Sequence, residues 1–407
     1  MAKEMKPVIA IDVGTAQVRV VAARPDLEGK MELIAFGKAA SVGVERGIVT
    51  NIDEASRAIR NAFNDAGVDN RFRGGRLYAG LGGKQMSSYN ATGKTLSSRS
   101  DSLITEKDLA KALLGAKPTD LVAGVTLVHV VPRAYRVDGH RAQQEVLGMR
   151  GAKLEVDCHV VTAGETAVTN LRKAVQMAGG EIDQLVSGGI ASAQTCLKTE
   201  EREIGVLFVN IGAGTTDIVA YSEGGLLHSS CLPLGGNQLC NDVAIALNTS
   251  FGVAEQVVQE HGRGSNLGIQ PEDELEIQCF GARGTRLVRR RYLNEIIRLR
   301  LTEILQLAVG RMQQAAPGLR LPAGLVISGG VATLPSIDVL AETALKMPSR
   351  VGGFTQNGEG PAALEGTGFT TAIGILEVAA DSRFTLVEEQ KGRSPLKMLP
   401  QLIGIKA

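Results

Sequence analysis

"NIGAGTTDI", Asn210 to Ile218, follows the apolar run Val206 to Val209 and precedes Val219-Ala220, so its glycines fall in a tight turn between two strand-like segments. Small residues in such a turn let backbone N–H groups point at an anion, because no Cβ blocks close approach. The pattern occurs once before. "VIAIDVGTAQVRVVAA" from Val8 aligns with "GVLFVNIGAGTTDIVAY" so that Asn210 matches Asp12 and Gly212 matches Gly14, both at an offset of 198 (210 − 12 and 212 − 14). A single glycine turn is explained by an ordinary β-hairpin. A duplicated strand, turn and strand is stronger evidence.

Outward from the turns, each half continues in parallel. After Val8, "MELIAFGKAAS" adds a third strand-like segment, and "IDEASRAIRNAFNDAG" reads as an amphipathic helix, with Asp53 as the expected N-cap, Ala55, Ile59 and Phe63 on one face, and Gly67 as the stop. Leu77 to Gly83 reads as the next strand. From Lys84 to about Val161 the texture turns Ser/Thr-rich and β-rich, with a short helix near Glu106 to Leu114, as an inserted subdomain would. "TAGETAVTNLRKAVQMAGG" restores a helix ended by Gly179-Gly180, and "EIDQLVSGGIASAQTCL" reads as strand then helix. In the second half, "GLLHSSCLPLGG" is a strand and a glycine pair, followed by a helix from Asn237 to Leu247. A second insertion spans Phe251 to about Leu287. A long helix over Arg289 to Gln313 and the strand, Gly-Gly turn and helix of "AGLVISGGVATLPSIDVLAETAL" complete that half.

Composition removes several classes of function. In 407 residues, Lys+Arg 44 against Asp+Glu 43 leaves a formal charge of +1, which gives no general attraction to nucleic acid. Aromatic content of 3% with no Trp disfavours base-stacking platforms. The cysteines Cys158, Cys196, Cys231, Cys240 and Cys279 are scattered without metal-ligand spacing, which fits a reducing cytosol. "MAKEMKPVIAIDVG" reaches Asp12 before a signal-peptide core can form, and Leu121 to Val131, the longest apolar run, is of strand length.

Phosphate is the obvious anion for the paired turns. Thr15, Thr215 and Thr216 add hydroxyl donors, and Asp12 and Asp217 suit the ordering of Mg²⁺-bound waters beside phosphates. With "LGGNQ" at Leu234 to Gln238 and "ISGGVATLPSI" at Ile327 to Ile337, whose Gly329-Gly330 lets a flat base lie against backbone at a helix N-terminus, the set resembles the two phosphate motifs and the adenosine motif of the actin-like ATPase superfamily. Within it, "SVGVERGIVTNIDEASRAI" at Ser41 to Ile59, "HVVTAGETAVTNLRKAV", "LPLGGNQLCNDVAIAL" and "RRRYLNEIIRLRLTEIL" resemble the FtsA family of bacterial cell-division adaptors, over roughly Val8 to Val378.

The resemblance implies an α/β, two-lobed actin-like fold, a duplicated ribonuclease-H-like architecture with an FtsA-type inserted subdomain. The lobes would comprise residues 1–83 plus 162–203 and 204–250 plus 314–380, with inserts at 84–161 and 251–313, and a linker and short membrane-targeting tail at 381–407. It implies ATP and Mg²⁺ as cofactors, with Asp12, Gly14, Thr15, Ala16, Gln17, Asn210, Gly212, Ala213, Gly214, Thr215, Thr216, Asp217, Gly235, Gly236, Asn237, Gly329, Gly330 and Val331 around the nucleotide, and Asp12 and Asp217 toward the metal. It implies head-to-tail filaments that link FtsZ to the inner face of the cytoplasmic membrane at the division site.

The arginine run Arg283, Arg286, Arg289, Arg290, Arg291, Arg298 and Arg300 is either a solvated helix face or, by the family pattern, a dock for the acidic C-terminal tail of FtsZ through Arg286, Arg289 and Arg290, with Arg300 facing the nucleotide. "LKMLPQLIGIKA" places Leu396, Leu399, Leu402 and Ile403 at helix-like spacing, interrupted by Pro400, and reads either as a weak interfacial anchor or as a tail without one.

Two positions depart from the family: Asn210 stands where Asp is usual, and Gly188 where a Glu is common. An amide carries no charge for the metal, and loss of a general base typically slows a reaction by about 10²- to 10⁴-fold, so weak or no ATP hydrolysis is expected. Two other functions share the fold. A small-molecule kinase would need a carboxylate base in the cleft beyond the phosphate motifs, which the sequence does not offer. A PilM-like pilus-assembly scaffold is the other, against which Ser41 to Ile52 and the full second half favour FtsA.

Overall fold

The computed structural model describes residues 6–25, 31–68, 74–98, 101–142, 146–281, 284–355, 362–381 and 385–386. Along the chain, the first lobe runs β1 (Val8–Val13), β2 (Gln17–Pro25), β3 (Met31–Ala40), a short hairpin of β4 (Val44–Glu45) and β5 (Ile48–Val49), α1 (Ile52–Asp65) and β6 (Arg76–Leu81). An inserted module follows with β7 (Ser87–Leu96), α2 (Glu106–Ala116), β8 (Val125–Val137), β9 (His140–Ala142) and β10 (Lys153–Gly164). The chain returns through α3 (Glu165–Met177), β11 (Gln184–Ser187), α4 (Gly188–Cys196) and α5 (Thr199–Ile204).

The second lobe comprises β12 (Val206–Ile211), β13 (Thr216–Ser222), β14 (Gly225–Leu232), α6 (Gly236–Leu247), α7 (Phe251–His261), β15 (Glu274–Gln278), β16 (Thr285–Arg289), α8 (Arg290–Ala315), β17 (Leu325–Ser328), α9 (Ile337–Leu345) and β18 (Ser349–Val351). Last come α10 (Thr370–Ala380) and β19 (Thr385–Leu386).

The two lobes carry the same sheet. The first is ordered β11-β6-β1-β2-β3 and the second β18-β17-β12-β13-β14, each with an antiparallel meander on one side of its central strand and parallel partners on the other. Central strands must be apolar on both faces when helices cover both. In β12, Val206 and Phe208 join a core shared with the first lobe, while Leu207, Val209 and Ile211 join a second core with Leu301, Ile304 and Leu305 of α8. The two lobes rest on α4 and α10, which cross in backbone contact. A methyl group on Gly374 would lie 1.8 Å from the Ala191 carbonyl oxygen.

The inserted module has its own sheet, β19-β8-β10-β7, with α2 packed on it. It is fastened to the outer strand of the second lobe by polar contacts. The Ser88 hydroxyl donates to the Ser229 carbonyl (2.6 Å) and Asn90 Nδ2 to the Leu227 carbonyl (3.1 Å). His159 donates from Nδ1 to Asn90 Oδ1 and accepts at Nε2 from the Ser229 hydroxyl, each at 2.9 Å. Burial, helped by nearby positive groups, pulls His159 down to about 3, so it serves as a neutral hydrogen-bonding bridge.

Three local expectations are corrected. The N-cap of α1 is Asn51, whose side chain accepts from the Glu54 amide, and Asp53 instead sits in the first turn, where an acid suits the helix dipole. Gly329-Gly330 lead into a 3₁₀ turn, Gly330–Thr333, before α9 begins. Thr385–Leu386, inside the segment read as linker, pairs with His129 and Val130 of β8. The apolar tail Leu396 to Ala407 lies outside the described residues.

The α4–α10 crossing gives a direct stability test. Gly374→Ala should lower the melting temperature through overpacking worth about 1–3 kcal/mol. Gly310→Ala on α8, where an added methyl meets open space, should be neutral or stabilise by up to about 1 kcal/mol. Thermal melts of the two variants beside the parent read both.

Candidate functional site: the cleft between the glycine turns

The duplication holds at the level of single hydrogen bonds. Gly14 N donates to Gln17 O (3.1 Å) and Gly212 N to Thr215 O (2.8 Å), closing identical turns. Across the strands, Asp12 pairs with Arg19 and Asn210 with Asp217, so Arg19 and Asp217 are counterparts at the same offset of 198 (217 − 19). The backbone is repeated and the charges are not. In the first lobe Arg19 lies 4.0 Å from Asp12 and stacks 5.9 Å from the Phe369 ring centroid. In the second, Asn210 Nδ2 donates to Asp217 Oδ2 at 3.4 Å.

The two turns meet across the cleft. A Cβ on Gly214 would fall 2.6 Å from Thr15 Oγ1. Gly235 is as tightly placed, since its Cβ would lie 2.5 Å from Gly212 O and 2.8 Å from Ala213 O. Val331 closes the far side, 3.0 Å from a Cβ on Gly236. Gly329, at φ 89°, takes a backbone conformation that favours glycine, and its Cβ would strike Asn210 Oδ1 at 2.5 Å. The structure therefore gathers the Asp12–Gln17, Asn210–Asp217, Gly235–Asn237 and Gly329–Val331 segments around one cleft.

Within that set the roles differ from the sequence reading. The amides of Gly236 and Asn237 are spent on Gly212 O (2.9 Å) and Ala213 O (2.8 Å), and that of Gly235 on Gln238 Oε1 (2.7 Å), so this corner offers close approach rather than donors. Thr216 is a correction: it is wholly buried, and its hydroxyl donates to Leu234 O at 2.8 Å. Strand alternation turns Thr216 inward and leaves Asp217 on the cleft side. Arg300 grips Asp242 of α6 through Nε (2.5 Å) and Nη2 (2.9 Å), and Glu303 through Nη1 (2.6 Å), so two carboxylates already engage it.

Gly188 opens α4, and its neighbour Gly189 backs onto Asp217, where a Cβ would lie 2.8 Å from the Asp217 Cβ. The sequence reading missed Gly189 and Arg19. The 198-residue offset would have found Arg19, while no local pattern marks Gly189.

Arg286 and Arg289 are exposed on β16, an odd number of residues apart, so they face opposite sides of the β15–β16 hairpin. Arg290 begins α8, with its amide on Asp273 O. Arg283 lies outside the described residues.

Electrostatically the cleft is built for a counter-charge. Burial pushes the Asp12 carboxyl up, against the pull of Arg19. Burial raises Asp217 to about 6, opposed by hydrogen bonds from Cys231 and Asn210 and reinforced by the Asp12 charge. Among the described residues no group of three or more His, Cys, Asp or Glu could hold a metal ion. Two carboxylates beside cradles that a Cβ would fill suit Mg²⁺ shared with a polyphosphate, since that ion commonly takes one or two carboxylates and completes its shell with phosphate and water.

Comparison with known proteins agrees. The family model described as cell division protein FtsA matches residues 207–374, and that of the SHS2 domain inserted in FtsA matches 83–162. Cell division protein FtsA of Neisseria meningitidis is 30% identical over 96% of this chain and 94% of its own length. The chain belongs to the FtsA family of cell division proteins. The Escherichia coli FtsA is 28% identical over 94% of this chain and 92% of its own.

The actin-like fold is shared with the PilM–PilN type IV pilus biogenesis complex (TM-score 0.65, 16% identity, 92% of this chain and 98% of that one). It is shared too with MreB5 of Spiroplasma citri bound to AMPPNP (TM-score 0.54, 13% identity, 92% and 96%). For this FtsA-family chain the fold class that the resemblance implies, two actin-like lobes with the FtsA-type insert, is the observed one.

The raised Asp217 gives a pH test. A carboxyl moved from an ordinary 3.8 to about 6 binds its proton more readily in the fold than in the open chain, so the nucleotide-free fold loses stability as pH rises between those values. Asp217→Asn should remove a penalty of about 3 kcal/mol above pH 6 and change nothing below about pH 4. Melting curves across that range check it.

Proposed function

We propose that this protein binds ATP with Mg²⁺ between the two glycine turns, polymerises head to tail, and links FtsZ filaments to the inner face of the cytoplasmic membrane, with ATP acting as an assembly switch. The observation that carries the reading is the contact of Gly214 with Thr15, which brings two duplicated anion-cradling turns face to face across a cleft. Asp12 and Asp217 would hold Mg²⁺ through its waters, and the ion would neutralise phosphate charge. A ligand touching both turns favours the closed lobes, and a closed subunit stacks on its neighbour without any chemistry. Hydrolysis is slow in this reading, because Asn210 brings no charge and Gly188 no side chain to orient a water.

The partner surface is the second-lobe insert, residues 251–313. Exposed Leu287 and Arg289 share one face of the β15–β16 hairpin and exposed Arg286 lies on the other, so an acidic peptide with an apolar anchor finds a guanidinium on either side of the strand. No helix of the described residues is long and apolar enough to cross a membrane, so attachment would be peripheral and strengthened by many copies on one filament. The PilM reading has only the likeness of fold behind it. A kinase would need an acceptor base, and the cleft carboxylates here are those of the phosphate motifs.

Sedimentation with Mg²⁺ and ATP over anionic vesicles, with and without an FtsZ tail peptide, tests the reading. The protein should pellet with ATP and carry the peptide down, and Arg286→Glu with Arg289→Glu should abolish peptide recruitment while ATP-dependent pelleting persists. Tight ATP binding with neither polymer nor recruitment would sink the adaptor role. Separately, Asn210→Asp should raise Mg²⁺-dependent phosphate release above the parent rate, and an unchanged rate would place that residue away from the metal.

A further inference from the structure

The stretch "SVGVERGIVT" has no part in the nucleotide reading so far, yet its centre lies at the cleft. β4 and β5 are joined by Arg46-Gly47 at φ 48° and 73°, both left-handed. Two-residue hairpin turns of this hand favour Asn, Asp or Gly at the first position, whereas a long side chain there is disfavoured by its own Cβ. An arginine kept in a strained turn points to a task for its side chain.

The tip of this hairpin touches both halves of the site. Gly47 N donates to Thr15 Oγ1 at 3.1 Å, which leaves the Thr15 hydroxyl proton free to face the cleft. A Cβ on Gly214 would fall 3.1 Å from the Arg46 Cα, and one on Gly83 would fall 2.8 Å from the Arg46 carbonyl oxygen. The contacts run in order: Val331 against Gly236, Gly235 against Gly212 and Ala213, Gly214 against Thr15 and Arg46. In the nucleotide reading the base takes the Gly329–Val331 end, and Arg46 is the last member of this series of contacts, beside Thr15 and Gly214. Arg46 is exposed, and no carboxylate of the described residues pairs with it, whereas Arg19 is engaged by Asp12 and Phe369.

We propose that Arg46 is a ligand for the terminal phosphate of a nucleoside triphosphate, so that the β4–β5 tip distinguishes triphosphate from diphosphate. The proposal rests on the nucleotide reading above. A guanidinium fork matches phosphate oxygens in pairs, and it supplies positive charge in a cleft where Asn210 leaves one fewer carboxylate for a metal. A diphosphate would end short of the tip. The same hairpin binds Thr15 through Gly47, so engagement of Arg46 would be felt at the first turn as well.

Titration calorimetry of ATP and ADP with Mg²⁺, on the full chain and on Arg46→Asn, Arg46→Lys and Lys84→Ala, tests this. Asparagine suits the turn, so Arg46→Asn should melt no lower than the parent. It should nevertheless bind ATP about 10-fold more weakly, the scale of one charged hydrogen bond, with ADP affinity within about two-fold. Lysine should restore part of the loss, and Lys84→Ala, which removes a neighbouring exposed cation, should change neither nucleotide. Equal weakening of ATP and ADP in Arg46→Asn would make the tip a structural prop and overturn the proposal, as would unchanged affinity for both. If the parent binds neither nucleotide, the nucleotide reading itself fails, a result plainly different from either.

Discussion

The arrangement depends on close approaches to glycine backbone where an added side chain would stand in the way. Gly214 at Thr15, Gly235 at the Gly212 and Ala213 carbonyls, and Gly329 at Asn210 are three approaches that an alanine would block. Each occurs at the rim of the same cleft. Together they convert two ordinary hairpins and a 3₁₀ turn into one cradle, and a ligand that fills the cradle must touch both lobes. On that basis the proposed switch would couple occupancy to closure.

A comparable contact sets how the lobes lie. α4 and α10 cross at Gly374 and Ala191, and the core that includes them takes side chains from both sheets. A hydroxyl cluster continues this layer toward the cleft: Ser192 donates to Thr370 (3.0 Å), which neighbours Ser328, the residue before Gly329. The Gly329–Gly330 turn is thus joined to the central helices by polar contacts as well as by packing. The inserted module adds a second tie, because its Ser88, Asn90 and His159 hold the outer strand of the other lobe.

Duplication preserved the backbone and released the charges. Both turns close with the same amide-to-carbonyl bond, while the cross-strand pairs at their bases are Asp12 with Arg19 and Asn210 with Asp217. One copy balances its carboxylate with an arginine, and the other shares a hydrogen bond between an amide and a carboxylate of raised affinity for protons. Such asymmetry is what a site needs to hold a ligand in one orientation.

The sequence by itself determined the repeat, because hydrophobic alternation, turn glycines and their spacing are properties of neighbouring residues, and the order of its motifs carried the resemblance that implies the fold class. The 198-residue offset read from Asp12 and Asn210 is the register that the strands adopt. Tertiary structure alone decided which groups remain available. Thr216 reads as a phosphate donor until β13 turns it toward Leu234, and Arg300 reads by the family pattern as facing the nucleotide until α6 brings Asp242 to it. Arg286 and Arg289 read as one basic run and fall on opposite faces of a hairpin. Arg46 carried no signal beyond an x-Gly turn, yet it lies where Thr15 and Gly214 meet. Periodicity fixes which face a residue takes within its own element. Whether its donors and charges are then satisfied depends also on segments farther along the chain, from 18 residues away for Thr216 and Leu234 to 199 for Thr15 and Gly214 (214 − 15), and those are brought near only by the packing of the whole.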